Sequence, residues 1–178
     1  NDYQLASRVI IAGGRDFNDY EYMSTKLNEL FKDQNVFNNK AIKVISGMAK
    51  GTDTLGIRYA DEHKLTKILF PANWKEYPRI AGFLRNNDML SIATHLIAFW
   101  NGESSGTKHM IEIAQMKGIP VYIFAISTAS HDKYINCIKD ANKNEIIKIG
   151  DLDLTKTDFA DFFESLKQTY PMYENKKI

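Results

Sequence analysis

Solid apolar runs alternate with stretches of helical periodicity along the first 126 residues. Residues 8–12 (RVIIA) read as a short buried strand that Gly13-Gly14 ends. Asn18, with Glu21 three residues on, has the form of a capping box, and Met23, Leu27, Leu30 and Phe31 then recur at helical spacing. Residues 42–45 give a second strand. Residues 53–63 give a second helix with Leu55, Tyr59 and Ala60 on one face. Residues 68–70 form a third strand closed by Pro71, and 72–79, holding Asn73, Trp74, Tyr77 and Pro78, are aperiodic. A helix over 80–93 carries Phe83, Leu84, Met89 and Ile92, and 95–100 is a fourth strand. A helix over 107–117 presents Met110, Ile111 and Ala114 and stops at Gly118, with Pro120 just beyond. Residues 119–124 make the fifth strand.

Apolar strands alternating with helices imply an α/β fold, a Rossmann-like parallel sheet with helices on both faces. Its crossovers should be right-handed, and its ligands should bind at the carboxyl ends of the strands. After residue 126 the pattern changes. Residues 127–130 are linker-like, and 134–138 and 145–149 read as short strands, or as a helix plus a strand. Thr155 with Asp158 can cap a helix on which Phe159, Phe162, Phe163, Leu166 and Tyr170 share a face. The expected organisation is a Rossmann-like domain over 1–126 and a C-terminal extension over 127–178. The amphipathic helix of that extension packs on the main domain or on a partner.

Composition narrows the function classes. With 23 basic and 22 acidic residues, the chain lacks the charge of a sequence-independent duplex binder, so nucleic acid is a disfavoured partner. A single cysteine, Cys137, excludes an intrachain disulfide and a cysteine-based zinc site. The longest apolar run, near 119–126, is far too short to span a membrane, and no signal peptide is visible. The expectation is a soluble cytoplasmic protein. His63, His95, His109 and His131 have no metal-ligand spacing, so neither a metal nor another cofactor is expected.

Chemistry is concentrated in loops that follow strands. Gly13, Gly14 and Arg15 follow the first strand, where glycine admits an anion to the backbone and arginine pairs with phosphate. Ser46, Gly47, Lys50, Gly51, Thr52 and Asp53 follow the second; Asp53 either caps the helix or contacts a ribose hydroxyl or a base. Arg85 and Asn86 lie on a polar helix face beside Leu84 and Met89. Gly102, Ser104, Ser105, Gly106 and Thr107 follow the fourth strand and open a helix, which makes a natural phosphate cradle. Trp100 before them can stack on a base or pack in the core. Glu112 in the same helix can act as a general acid or base if it faces the cleft.

Together, Gly-Gly-Arg-Asp-Phe, Ser-Gly-x-Ala-x-Gly-x-Asp, Arg-Asn-x-x-Met and Phe-Trp-x-Gly-x-Ser-x-Gly-Thr resemble the SLOG superfamily. That superfamily links the DNA-processing protein Smf/DprA with the Lonely Guy enzymes, and this chain looks most like its YspA-like branch. The resemblance spans about residues 8–124 and implies a Rossmann-like domain that binds nucleotides or nucleotide-derived ligands, often as a homo-oligomer. Lonely Guy enzymes release a base from a nucleoside 5′-monophosphate, using an arginine that corresponds to Arg85 and a Pro-Gly-Gly-x-Gly-Thr-x-x-Glu loop. Gly106-Thr107 matches that loop, but Met110 stands at the glutamate and Asn101-Gly102-Glu103 replaces Pro-Gly-Gly. The leading expectation is therefore a pocket for a nucleotide, with a signalling nucleotide of bacterial immunity or phage counter-defence among the candidates. One alternative is N-glycosidic hydrolysis with Arg85, Asp53 and Glu112 as catalytic residues. Another is the handling of single-stranded DNA.

Overall fold

The computed structural model describes residues 6–38, 41–101, 104–126, 147–149 and 152–154. In chain order the main domain runs β1 (Ser7–Gly13), α1 (Tyr20–Phe31), β2 (Ile42–Ser46), α2 (Thr52–Glu62), β3 (Thr66–Leu69), α3 (Ala81–Ile92), β4 (His95–Trp100), α4 (Ser105–Lys117) and β5 (Val121–Ala125). The five strands form one sheet in the order β3-β2-β1-β4-β5, and every neighbouring pair is parallel. This is the Rossmann-like α/β architecture.

Alternation along the strands explains why both faces are covered. Ile10, Ile45, Leu96, Ala98 and Ile123 point to one side and pack with Met89 and Leu90 of α3 and Met110, Ile111 and Ala114 of α4. Val9, Ile11, Val44, Ile97 and Phe99 point to the other and pack with Met23, Leu27, Leu30 and Phe31 of α1 and Tyr59 and Ala60 of α2. The interior strand β4 is buried along its whole length, whereas edge strand β3 is mostly exposed. The chain moves outward through β2 and β3, then returns to the other side of β1 as β4. Loops leaving the carboxyl ends of β1 and β4 therefore diverge and open a crevice.

Element boundaries hold three corrections. Asp19, not Asn18, caps α1, its side chain accepting from the Tyr22 N–H at 3.0 Å. Asp53 does not cap α2; that position is Gly51, and Asp53 lies inside the first turn. Helix α4 starts at Ser105, two residues before the expected Thr107. Its end at Gly118, in the left-handed conformation, is as the sequence indicates.

Beyond the main domain, β6 (Ile147–Ile149) and β7 (Leu152–Leu154) pair antiparallel, with Ile147 opposite Leu154. The first falls within the expected strand at 145–149. The expected element at 134–138 and the helix carrying Phe159, Phe162, Phe163, Leu166 and Tyr170 lie outside the described residues.

Candidate functional site

The crevice holds a cavity of about 750 Å³, within the range of about 300–1,000 Å³ usual for small-molecule sites. Ala12 to Asn18 form its β1 side, α3 supplies Gly82, Phe83, Arg85, Asn86 and Met89, and the start of α4 supplies Ser104 to Thr107 and Met110.

The first loop is fixed before it meets any ligand. The Gly14 N–H donates to Phe99 O at 3.2 Å, and Gly14 O accepts from both the N–H and the hydroxyl of Thr52, at 3.2 and 3.0 Å. Phe17 stacks on Phe99 at 5.3 Å between ring centroids. These contacts tie β1, β4 and α2 together and leave Gly13, Gly14 and Arg15 lining the cavity.

The second loop folds onto itself. Ser46 is buried; its hydroxyl donates to Asp53 O at 3.2 Å and accepts from the Met48 N–H at 3.2 Å. Gly47 packs against the Arg85 guanidinium. Of this loop only Ala49 and Asp53 reach the cavity. Of the residues expected as ligand contacts, Ser46, Gly47, Gly51 and Thr52 therefore support the site rather than line it, and Lys50 is exposed outside it. Small hydroxyls after a strand suit an anion, but here the nearest unpaired groups are backbone groups of neighbouring loops, and those claim the hydroxyls.

Arg85 crosses from α3 to that loop. Its Nε donates to Asn86 Oδ1 at 3.2 Å and its Nη1 to Gly47 O. These bonds aim the guanidinium and leave further N–H donors, since arginine has five. Asn86 is buried; its amide donates to Gly106 O at 3.2 Å, which holds α3 against the start of α4.

Asp53 is only 6% exposed, and its carboxylate accepts from the Ala49 N–H at 3.1 Å. Burial pushes its pKa up from 3.8 to about 6, against the pull of that N–H and of the Arg85 and Arg15 charges. Burial likewise lowers the pKa of Arg85, while the Asp53 charge works to raise it. The cavity thus holds a carboxyl whose pKa is about 6 and which feels the charges of Arg85 and Arg15.

At the β4 end, Ser104 makes no side-chain cap; its hydroxyl bonds that of Thr107 at 3.2 Å. The first-turn N–H groups of α4 have no partner within the helix and carry its positive end. Ser105 and Gly106 are exposed there. Gly102 lies outside the described residues. Trp100 is fully buried and donates from Nε1 to Ser104 O at 3.1 Å, so it shapes the loop from behind and cannot stack on a base. Glu112 is exposed outside the cavity, 3.8 Å from Lys108 Nζ, so it cannot serve there as an acid or base. Met110, four positions after Gly106, is 1% exposed and adds an apolar surface.

The sequence reading missed Trp74, Arg79 and Phe83, which also line the cavity. The available signal was a tryptophan and an arginine in an aperiodic segment, away from any apolar stripe.

The titration of Asp53 gives a prediction. The folded chain holds this proton more tightly than the unfolded chain does. The resulting stability is complete below pH 3.8 and is lost as pH rises through about 6. At about 1.36 kcal/mol per pH unit, the ionised carboxylate costs up to about 3 kcal/mol at neutral pH. Asp53→Asn is expected to melt higher than the parent at neutral pH and to flatten the fall in stability between pH 4 and 6. Thermal unfolding followed by circular dichroism across that range checks it, and identical pH profiles would refute it.

Comparison with known proteins places the chain. Residues 7–77 match the sequence profile of the YspA, cpYpsA-related SLOG family. The Gene 61 protein of Mycobacterium phage D29 is 32% identical over 123 residues, covering 66% of this chain and 95% of that protein. Among solved structures, DNA processing protein A of Streptococcus pneumoniae superposes with a TM-score of 0.59 at 13% identity, over 84% of this chain but only 60% of its own length. The single-stranded-DNA-binding DNA processing protein A of Helicobacter pylori gives 0.55 at 15% identity, over 92% of this chain and 83% of its own. A molybdenum cofactor binding protein of Rippkaea orientalis gives 0.56 at 13% identity, over 90% and 97%. At such identities these structures speak for the fold. The sequence motifs, the profile match and the phage relative go further: this chain belongs to the YspA, cpYpsA-related SLOG family.

Proposed function

We propose that the chain binds a nucleotide or nucleotide-derived small molecule in the crevice between β1 and β4. One observation carries this reading: Arg15, Arg85, Asp53 and the positive end of α4 converge on a single cavity at the point where the strand order reverses. Arg85 and a helix start suit phosphate, and a buried carboxyl suits sugar hydroxyls. The relative in a phage supports a setting of phage–host conflict, with a signalling nucleotide sensed or sequestered. The direct test is to denature the purified protein and identify any co-purified nucleotide by mass spectrometry. Thermal shifts with a panel of nucleoside mono-, di- and triphosphates follow. No retained nucleotide and no shift with any of them would sink the proposal.

Gly106 gives a sharper check. A Cβ there would meet nothing within 4 Å, so Gly106→Val leaves the packing alone while crowding the exposed N–H groups of the first turn. Nucleotide affinity is expected to fall at least about tenfold, the scale of one charge-assisted hydrogen bond, with a cooperative melt retained. Unchanged affinity would place the anion elsewhere.

Asp53 supports a second reading, hydrolysis of a nucleoside monophosphate. Its carboxylate would stabilise positive charge developing on the ribose as the C1′–N bond breaks. Water would then add at C1′, and the base would leave with a proton. The apolar Met110, in the position where the hydrolases carry glutamate, weighs against it. Chromatography for free base after incubation with each monophosphate decides; release abolished by Asp53→Asn would establish it. Self-association is proposed at the start of α3, where the cap residue Ile80 and Leu84 are 49% and 40% exposed, and light scattering reads it.

A further inference from the structure

Trp74 is one of two tryptophans, and the only one that solvent reaches: it is 45% exposed at the cavity mouth, whereas Trp100 is fully buried. A half-exposed indole in a loop is not held by core packing, yet this one is held. The Asn73 side chain accepts from the Glu76 N–H at 3.2 Å, and Asn73 O accepts from the Tyr77 N–H at 2.9 Å, which fixes the turn that presents it. The six-membered edge of the indole lies over Gly82 of α3, where a Cβ would sit 3.3 Å from Cη2, so glycine is what lets the ring lie against the helix.

Arg15 lies over the ring, its guanidinium carbon 5.9 Å from the ring centroid. A closed pair looks different: Arg58 sits over Tyr20 at 3.9 Å elsewhere on the surface. A planar base placed between two planar groups needs two contacts of about 3.5 Å each, about 7 Å in all. About 1 Å of movement in the exposed Arg15 side chain would supply the difference.

We propose that Trp74 and Arg15 are the two jaws of a clamp that stacks on the base of the bound nucleotide, making the site selective for base-bearing phosphates over sugar phosphates. The clamp rests on the nucleotide-binding reading above. It adds a contact to the flat face of the base, which hydrogen-bond donors of the glycine-rich loops do not supply. Stacking tolerates any base and favours the larger purines.

The test is titration of the full chain with AMP, UMP, ribose 5-phosphate, inorganic phosphate and a short oligothymidylate, reading calorimetry and tryptophan fluorescence. AMP is expected to bind at least tenfold tighter than ribose 5-phosphate and to quench Trp74, with the buried Trp100 as internal reference. Trp74→Ala should lower AMP affinity at least tenfold and leave ribose 5-phosphate unchanged; Trp74→Phe should restore most of the loss. Equal affinity for AMP and ribose 5-phosphate, or a Trp74→Ala loss shared by both, would overturn the clamp and leave the phosphate pocket standing. Binding of no phosphate-bearing probe would overturn the pocket as well. Binding of the oligothymidylate alone would replace the free nucleotide with a single strand.

Discussion

Arg85→Ala is expected to weaken nucleotide binding by about a hundredfold. A hydrogen bond to a charged group contributes about 1.5–3 kcal/mol, and a guanidinium offers phosphate more than one. Arg85 is partly desolvated, which strengthens its pull on an anion, and its bonds to Asn86 and Gly47 O hold it ready, so little ordering is left for the ligand to drive. Its loss has a second consequence. The Arg85 charge is one of the influences that keep the Asp53 pKa from rising further, so the variant should titrate above about 6. Arg85→Lys should recover only part of the affinity, because an ammonium cannot hold Asn86 and Gly47 while also presenting a fork. Isothermal titration calorimetry with the nucleotide found by co-purification reads the first effect. Carbon-13 chemical shifts of the Asp53 carboxyl against pH read the second. An affinity change under threefold would remove Arg85 from the site.

The sheet was legible because its strands are covered on both faces. Residues buried on both sides must be apolar without interruption, as in Leu96-Ile-Ala-Phe-Trp100, and such runs need no knowledge of their neighbours to be read. The segments after β1, β2 and β4 that carry Arg15, Asp53 and Ser104 to Thr107 were legible for a related reason: a parallel sheet delivers all its strand ends to one edge; Arg85 was legible as a polar position beside Leu84 and Met89 on its helix. What could not be read was where each polar group spends its hydrogen bonds. Thr52 and Ser46 have the residue types of an anion site, yet their hydroxyls bond Gly14 O and Asp53 O. Trp100 has the position of a stacking platform, yet β4 is the most buried strand and swallows it. Trp74 was hidden for the opposite reason. Its segment has no period, and only the crossover from β3 to α3 carries it over Gly82 to the cavity mouth.

Gly51→Val is expected to be the most destabilising single change near the site. Gly51 caps α2 with φ 78° and ψ −120°, a conformation open to glycine and strongly unfavourable for a branched side chain. A Cβ there would run into the backbone carbonyl oxygens of Gly14 and Arg15, which cannot swing aside as a side chain would. Strained backbone costs about 1–3 kcal/mol and overpacking about 1–3 more, so a loss of about 4 kcal/mol is expected. For a chain of this length that lowers the melting temperature by about 8–16 °C. The site would fail together with the fold, because Gly51 is where the first two loops meet: the next residue, Thr52, donates to Gly14 O from both its N–H and its hydroxyl. Relief by retreat of the first loop would break those bonds and carry Arg15 away from Asp53. Gly106→Val is the matched control, with the same residue change at the α4 wall of the cavity and, outside its own helix turn, nothing within 4 Å of the new Cβ. Thermal melts of the two variants side by side should separate them, Gly51→Val losing its fold and Gly106→Val only its ligand. Equal melting temperatures would mean that the loop junction yields, and that the first two loops are not rigidly coupled.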